Sequence, residues 1–361
     1  MPAQFTYTNP VTLRKIAREL IIGPIEGQWI FTEVFPIENI EATVMRWIIE
    51  DNMFGLMAMR GVGGEPTRIK NVGSTGYEAT PAYFGEFGTL DENEILRRAM
   101  LVAGVPGEVP ISVNDLIQNY FDTMKVHYYN RLKQMAGDLL NTGTLTITLP
   151  DGAPLTLGQY TQVTDSPAVP YTTLGTAAPM KEGQLFQARY GRGTSAKFNN
   201  TATRWMNGRT FTLIQLNTNA NDIYGKKNVG GDSLVSLEEF NRVFVAAGAP
   251  QIGIVDDFYL DNAGETVMDI PDGVEYVIGS RPQNEKPGAF MLTANANNPN
   301  NASGVYAFVD DRTKGPNKTV PPRIDVHMGF NGNAVIKRPK QIIKRVLATP
   351  EDMDTVLGAI E

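Results

Sequence analysis

The chain has no cysteine among its 361 residues and only two histidines. The first absence removes disulfides, thiolate catalysis and cysteine metal sites together, and it fits synthesis in a reducing cytoplasm. The second leaves little for metal chemistry. His127 and His327 are far apart, neither has a second histidine at ligand spacing, and HExxH is missing. No stretch approaches the roughly 18 apolar residues of a membrane span. The start, Met1-Pro-Ala-Gln-Phe-Thr-Tyr7, shows neither the basic segment nor the apolar run of a signal peptide, so secretion and membrane insertion are not expected. Basic charge is not in excess either: 39 acidic against 32 basic residues leave a net charge of -7. Holding nucleic acid through its phosphates calls for a basic stripe. The clusters Arg97-Arg98, Lys226-Lys227 and Lys337 to Arg345 are modest, and a solvated face explains each of them as well.

Catalytic patterns are equally sparse. Gly61-Val-Gly-Gly64 and Gly191-Arg-Gly-Thr194 carry glycines but do not match a phosphate loop, and neither follows a strand and opens a helix. No GxSxG elbow supports a serine nucleophile. Asp256-Asp257 and Asp310-Asp311 are adjacent pairs, and neighbours on a strand point to opposite faces. No catalytic, cofactor-binding or metal residue is therefore assigned, and no enzyme activity is expected.

What is present is architecture. Apolar residues make up 42% and charged residues 20%, a globular balance with enough chain for two domains. Asn9-Pro10 opens a periodic segment through Leu20, and Asp91 with Glu94 caps a helix over Ile95 to Ala103. Ser112 with Asp115 opens the longest helix, to about Asn141, with a stripe of Val113, Leu116, Tyr120, Met124, Tyr128, Leu132, Met135 and Leu139. Ser236 with Glu239 starts another helix, and Thr349-Pro350 a short last one. Strands are expected at Ile252 to Leu260 and Thr266 to Ile270, turned at Asp261-Asn-Ala-Gly264. Others are expected at Val274 to Ile278, Phe290 to Thr293, Val305 to Val309, Ile324 to Phe330 and Gln341 to Leu347. In the Ile324 to Phe330 run the apolar residues alternate, which predicts one face on a core and one away from it. Pro150 to Gly193 reads as loop and short strand. Helices and strands segregate, so the class is α+β.

From Met53 to Gly88 runs a Gly-rich extension with two extended arms, Phe54 to Arg60 and Tyr77 to Phe87, about a tip at Gly61 to Gly76. An extension that long cannot bury itself, and a neighbouring copy is the expected surface for it. The aromatics Phe5, Tyr7, Trp29, Phe31, Phe35 and Trp47 cluster in the first fifty residues, either as a local core or as an arm docking on a partner.

Tyr77-Glu-Ala-Thr-Pro-Ala-Tyr-Phe-Gly-Glu-Phe-Gly-Thr-Leu-Asp-Glu-Asn-Glu-Ile-Leu-Arg-Arg98 resembles the returning arm and following helix of tailed-bacteriophage major capsid proteins. The family in question is that of the phage lambda major capsid protein (capsid protein E). Ala249 to Asp261 with Pro271 to Gly279 is similar to that family's axial-domain strands, and Lys337 to Asp352 to its closing strand. The resemblance implies a tailed-phage capsid fold: an amino-terminal arm (1–50), an extended loop (51–90), a peripheral domain with a spine helix (91–150, completed by 295–361) and an axial domain (206–294). Residues 151–205 are left unassigned.

It also implies hexamers and pentamers in an icosahedral shell around double-stranded DNA, held without sequence-specific binding. A separate scaffolding protein and a portal are the expected partners, and whether a decoration protein clamps the outside is left open. The place is the virion, assembled in the host bacterial cytoplasm. The subunit contacts expected on this basis are Arg60, Gly61, Gly63, Gly64, Arg68, Lys70, Tyr77, Tyr83, Phe84, Phe87, Trp29 and Phe31. An encapsulin-like compartment around protein cargo, a motif-poor hydrolase and a carbohydrate-binding or tail β protein are the alternatives.

Overall fold

The computed structural model describes residues 28–50, 74–93, 113–148, 154–192, 194–217, 235–261, 264–281, 285–298, 301–312 and 323–358. The expected helices at 10–20 and 95–103 and the loop tip before Ser74 lie outside them.

The organising element is strand β15 (Arg323–Ile336), 14 residues long. Strands β14 (Val305–Asp311) and β4 (Tyr83–Asp91) pair antiparallel with its first half. Its second half pairs with β13 (Gly288–Leu292), and β1 (Ile37–Asn39) adds a parallel edge to β13. Across one face of this sheet lies the 30-residue helix α1 (Val113–Thr142), about 45 Å long at the usual rise. Of its expected stripe, Leu116, Met124, Tyr128, Leu132, Met135 and Leu139 share one core with Ile324, Val326, Met328 and Phe330, whereas Tyr120 is only partly buried and its neighbour Phe121 enters the core instead. Gly143, at φ 74°, stops the helix, and its N–H bonds back to the Leu139 carbonyl at 3.0 Å.

A second five-stranded sheet runs β7 (Val163–Asp165), β16 (Ile342–Val346), β12 (Val274–Ile278), β8 (Thr203–Met206) and β9 (Gln251–Ile254). Around it pack α2 (Pro179–Tyr190), α3 (Gly208–Leu216), α4 (Leu237–Ala246) and α5 (Pro350–Gly358). Ser236 caps α4 by accepting from the Glu239 N–H, as its spacing predicts. Three two-stranded ribbons complete the described residues: β2 (Met45–Glu50) with β3 (Ser74–Ala79), β5 (Thr144–Thr148) with β6 (Pro154–Gln159), and β10 (Phe258–Leu260) with β11 (Thr266–Met268).

The structure tests these expectations element by element. The returning arm Tyr77 to Phe87 is two strands, because the chain breaks at Pro81: β3 belongs to the projecting ribbon and β4 to the main sheet. The alternation along β15 holds: Ile324, Val326, Met328 and Phe330 enter the core, while the other face lies outside it and carries aromatic rings and arginine ion pairs. Residues 151–193 contain helix α2, whose inward residues are Pro179, Glu182, Gly183 and Phe186. A stripe that includes a carboxylate and a glycine has no apolar signature. Helix α3 was also missed, because its β-branched, alternating Thr210-Phe-Thr-Leu-Ile214 reads as a strand. Strand membership further places β13 with the main sheet, and it places β16 and residues 163–206 with the second.

Candidate assembly surfaces

The ribbon β2–β3 pairs with no other strand among the described residues. Trp47 stacks on Tyr77 across it, with ring centroids 5.8 Å apart, and Arg46 pairs with Glu78 at 2.9 Å. Each is a direct cross-strand partner pair. The ribbon is rooted by both legs. On the incoming leg, the Ile40 N–H donates to the Leu292 carbonyl at 2.7 Å, and the Ala294 N–H donates to Ala42 at 3.1 Å. Fully buried Met45 then seats the ribbon on Ala289, Met291 and Val335. On the outgoing leg Pro81, which has no N–H, interrupts the ladder between β4 and β15. Beyond it the Asn333 side chain takes over: its Oδ1 accepts from the Ala82 N–H at 3.1 Å and its Nδ2 donates to the Thr80 carbonyl at 3.2 Å.

Beside the root, α1, β4, β15 and the β10–β11 hairpin enclose an open groove of about 500 Å³. Met124, Tyr128, Phe84 and Phe330 give it an apolar floor; His127, Glu86, Arg131 and Asp261 form its rim. His127 Nδ1 lies 2.9 Å from Glu86 on the exposed surface. Arg131 sits over the Phe84 ring at 5.5 Å. Burial raises the Tyr128 phenol well above its ordinary range, so it stays neutral.

The opposite face of the sheet carries an aromatic row. His327 stacks on Phe87 on one side and on Phe308 on the other, at 5.7 and 4.7 Å, and Tyr306 stacks on Phe308 at 6.1 Å. Tyr306 has two glycines in its register row, Gly329 and Gly85, and a Cβ at either would meet its hydroxyl at 2.5 Å. The ring lies flat because both partners lack side chains.

Of the expected contact residues, Tyr83 and Phe87 stand 69% and 66% exposed, and Tyr77 lies exposed on the ribbon. Phe84 faces the groove and stacks on Phe330 at 4.8 Å. Trp29 and Phe31 are buried in the chain's own core, each 4% exposed, so the local-core reading holds for them. They are not free anchors on an arm. Trp29 packs against Trp205 and Tyr276 where the two sheets meet. Arg60, Gly61, Gly63, Gly64, Arg68 and Lys70 lie outside the described residues. Tyr306, Phe308, His327 and Asn333 were missed, since a cross-strand row has no signature within any one strand.

Four of the five cations of the basic carboxyl-terminal stretch hold other elements of the chain, and Lys340 is exposed. Lys337 pairs with Glu38 at 2.7 Å, Arg338 with Glu285 at 3.1 Å, and Lys344 donates to the Asn141 carbonyl at 2.7 Å. Arg345 is fully buried with Arg204, Glu275 and Glu182. Among the described residues no cluster of His, Asp or Glu could hold a metal, and no helix is long and apolar enough to cross a membrane. Asp256 accepts from the Gly208 N–H at the start of α3, and Asp310 pairs with Arg312, so one carboxylate of each acidic pair has a structural contact.

No family profile and no curated protein sequence matches the chain. Solved structures do. A putative capsid protein of a prophage in Escherichia coli CFT073 aligns with TM-score 0.53 at 14% identity, over 94% of this chain and 99% of that one. A phage-related protein of Bordetella bronchiseptica RB50 aligns with TM-score 0.52 at 9% identity, over 97% and 100%. The capsid of Myoviridae phage XM1 aligns at TM-score 0.48 and 13% identity, over 87% and 89%. The chain shares the fold of a phage capsid protein, a structural protein rather than an enzyme.

Proposed function

We propose that this chain is the major shell-forming subunit of a tailed-phage head, of the lambda capsid-protein type. Copies associate as hexamers and pentamers into a closed icosahedral shell, which encloses double-stranded DNA without reading its sequence. The shell forms in the bacterial cytoplasm with a separate scaffolding protein and a portal as partners. The observation that carries this reading is the ribbon β2–β3: it leaves both sheets and pairs with nothing else among the described residues, in a chain with a capsid fold. Such a ribbon is marginal alone and gains its order on a neighbour. Each contact is modest, and closed symmetry repeats it around the shell. Its expected tip residues (Arg60, Gly61, Gly63, Gly64, Arg68 and Lys70) and the exposed Tyr77, Tyr83 and Phe87 supply the contacts in this scheme.

Negative-stain electron microscopy of the chain, alone and coexpressed with its neighbouring genes, tests it. Closed particles tens of nanometres across are expected, with nuclease-protected DNA inside when packaging is complete. Small uniform oligomers in both preparations would remove the reading, and particles filled with one protein species would make the chain a compartment around protein cargo. Deleting 61–76 should leave a folded subunit that no longer forms shells. Normal shells from that deletion would end the interlocking role.

A further inference from the structure

We infer that Asn333 is a positioning residue that sets the angle at which the β2–β3 ribbon leaves the subunit, and through it the curvature of the assembly. The assembly half of this inference rests on the shell reading above; the positioning half concerns the single chain.

The ribbon needs such a device because its two legs differ. The incoming leg is continuous with the sheet: β1 pairs with β13, and the Ile40 and Ala42 backbone bonds extend that pairing up to buried Met45. The outgoing leg is not continuous. The β4–β15 ladder runs to Tyr83 opposite Asn331, with one further bond from the Gly332 N–H to the Ala82 carbonyl at 3.0 Å. The next residue is buried Pro81, which cannot donate, so the ladder ends there and the chain is free to swing. Asn333 sits at that gap, 1% exposed, with its own backbone engaged to Met291 on the far side.

One planar amide holds the residues on either side of the proline at once: the Ala82 N–H on its oxygen, the Thr80 carbonyl on its nitrogen. A two-point grip through a planar group fixes a direction, which one bond does not. The shape is specific to an amide. Aspartate lacks the donor, leucine lacks both, and serine is too short to span from Thr80 to Ala82. Neighbouring Asn331 works on another joint, accepting from Asn295 and donating to the Ala294 carbonyl, so it does not duplicate the grip. In a shell, every ribbon reaches a neighbour from this pivot, so a small spread in angle becomes a spread in subunit tilt.

The test uses the full-length chain, whose lack of cysteine allows specific labelling. Nitroxides on cysteines replacing Glu78 on the ribbon and Asp122 on α1 report ribbon direction by pulsed electron-spin distance measurement. Labelled chain is diluted into unlabelled chain. The parent should give one narrow distribution. Asn333→Ala should lose it, giving a broad or shifted one, while the distance between two labels on α1 stays unchanged. Asn333→Ser, which keeps a polar group at the site, carries the test if the alanine variant does not fold. Shells from the variants should then be mixed in diameter where the parent's are uniform. An unchanged distribution overturns the positioning role whatever the shells look like. A broadened distribution with uniform parent-sized shells overturns the link to curvature. Absence of shells from the parent coexpressed with its neighbouring genes overturns the shell reading and leaves the distance result standing.

Discussion

Removing Glu275 tests whether the second sheet depends on its buried charges. Glu275 lies on β12, with Arg345 directly opposite on β16 and Arg204 on β8, opposite Val277. All three side chains are fully buried. Arg204 Nε donates to Glu275 Oε2 at 2.8 Å, and Arg345 donates to Oε1. Arg345 also donates to Glu182 Oε2 on α2 at 2.6 Å, and the Tyr171 hydroxyl donates to the same oxygen at 3.1 Å. The Phe186 ring lies under both guanidiniums, at 5.3 and 4.7 Å. Two cations and two carboxylates make a balanced quartet, with the partly exposed Asp165 at its edge 3.5 Å from Arg345.

Glu275→Leu leaves two buried guanidiniums to share Glu182 and the partly exposed Asp165, which lies 3.5 Å from Arg345. An orphaned buried charge costs about 3–5 kcal/mol. The companion variant Arg204→Met/Glu275→Leu removes one charge of each sign and leaves Arg345 with Glu182. It should be less destabilised than Glu275→Leu alone, a coupling of at least about 1 kcal/mol in a double-mutant cycle. The assay is urea unfolding of the unassembled subunit, with the midpoint read at constant slope. Additive losses, or a single-variant loss under about 1 kcal/mol, would refute the reasoning and show that water reaches the quartet.

Tyr128→Pro, in the middle of α1, should cost about 3 kcal/mol or more through the lost hydrogen bond and the ring clash, and near-parental unfolding would show that α1 is not the spine of the core. Gly273→Ala should destabilise the subunit by about 1–3 kcal/mol in the same assay, since φ there is +73° and a Cβ would overlap the Ala348 carbonyl; a neutral result would mean that the β12–α5 contact relaxes freely. Stability should also fall with alkali. Burial pushes the Tyr171 phenol up to about 12, while the unfolded chain releases that proton near 10. The folded state therefore holds a proton that the unfolded state has lost, and Tyr171 alone lowers stability from pH 10 toward 12 by up to about 1.4 kcal/mol per unit, beside the contributions of Tyr129 and Tyr259, which burial also pushes up to about 12. Tyr171→Phe should flatten the decline measured by urea unfolding across that range, and an unchanged slope would place the titration elsewhere.

Elements whose signal is local were legible in the sequence. Helix α1 follows from an unbroken stripe, α4 from Ser236, and the β10–β11 hairpin from the polar turn at Asp261 to Gly264. Elements that depend on distant partners were not. Helix α2 turns Glu182 inward, and that is stable only because Arg345, 163 positions away, meets it. The grip of Asn333 on Ala82 spans 251 positions, and nothing near Asn333 announces it. The exposed aromatics behaved the same way. Phe87 was singled out from its own strand, whereas His327 and Phe308 became visible only once β4, β15 and β14 lay side by side.

The charge pattern shows why composition and site must be argued separately. From Lys337 to Arg345 the sequence offers a basic run that, taken alone, fits a phosphate-binding edge. In the fold, Lys337 and Arg338 brace β1 and the loop before β13, Lys344 caps the end of α1, and Arg345 sits in the quartet between β16, β12 and α2. Every one of these cations is committed to holding one element against another. Phosphates could recruit them only by breaking those contacts, and a fully buried guanidinium lies beyond their reach in any case. A shell built from this subunit would therefore not owe its contents to that run. Containment in such a shell would come from closure of the wall, and closure would then depend on how each ribbon met its neighbour.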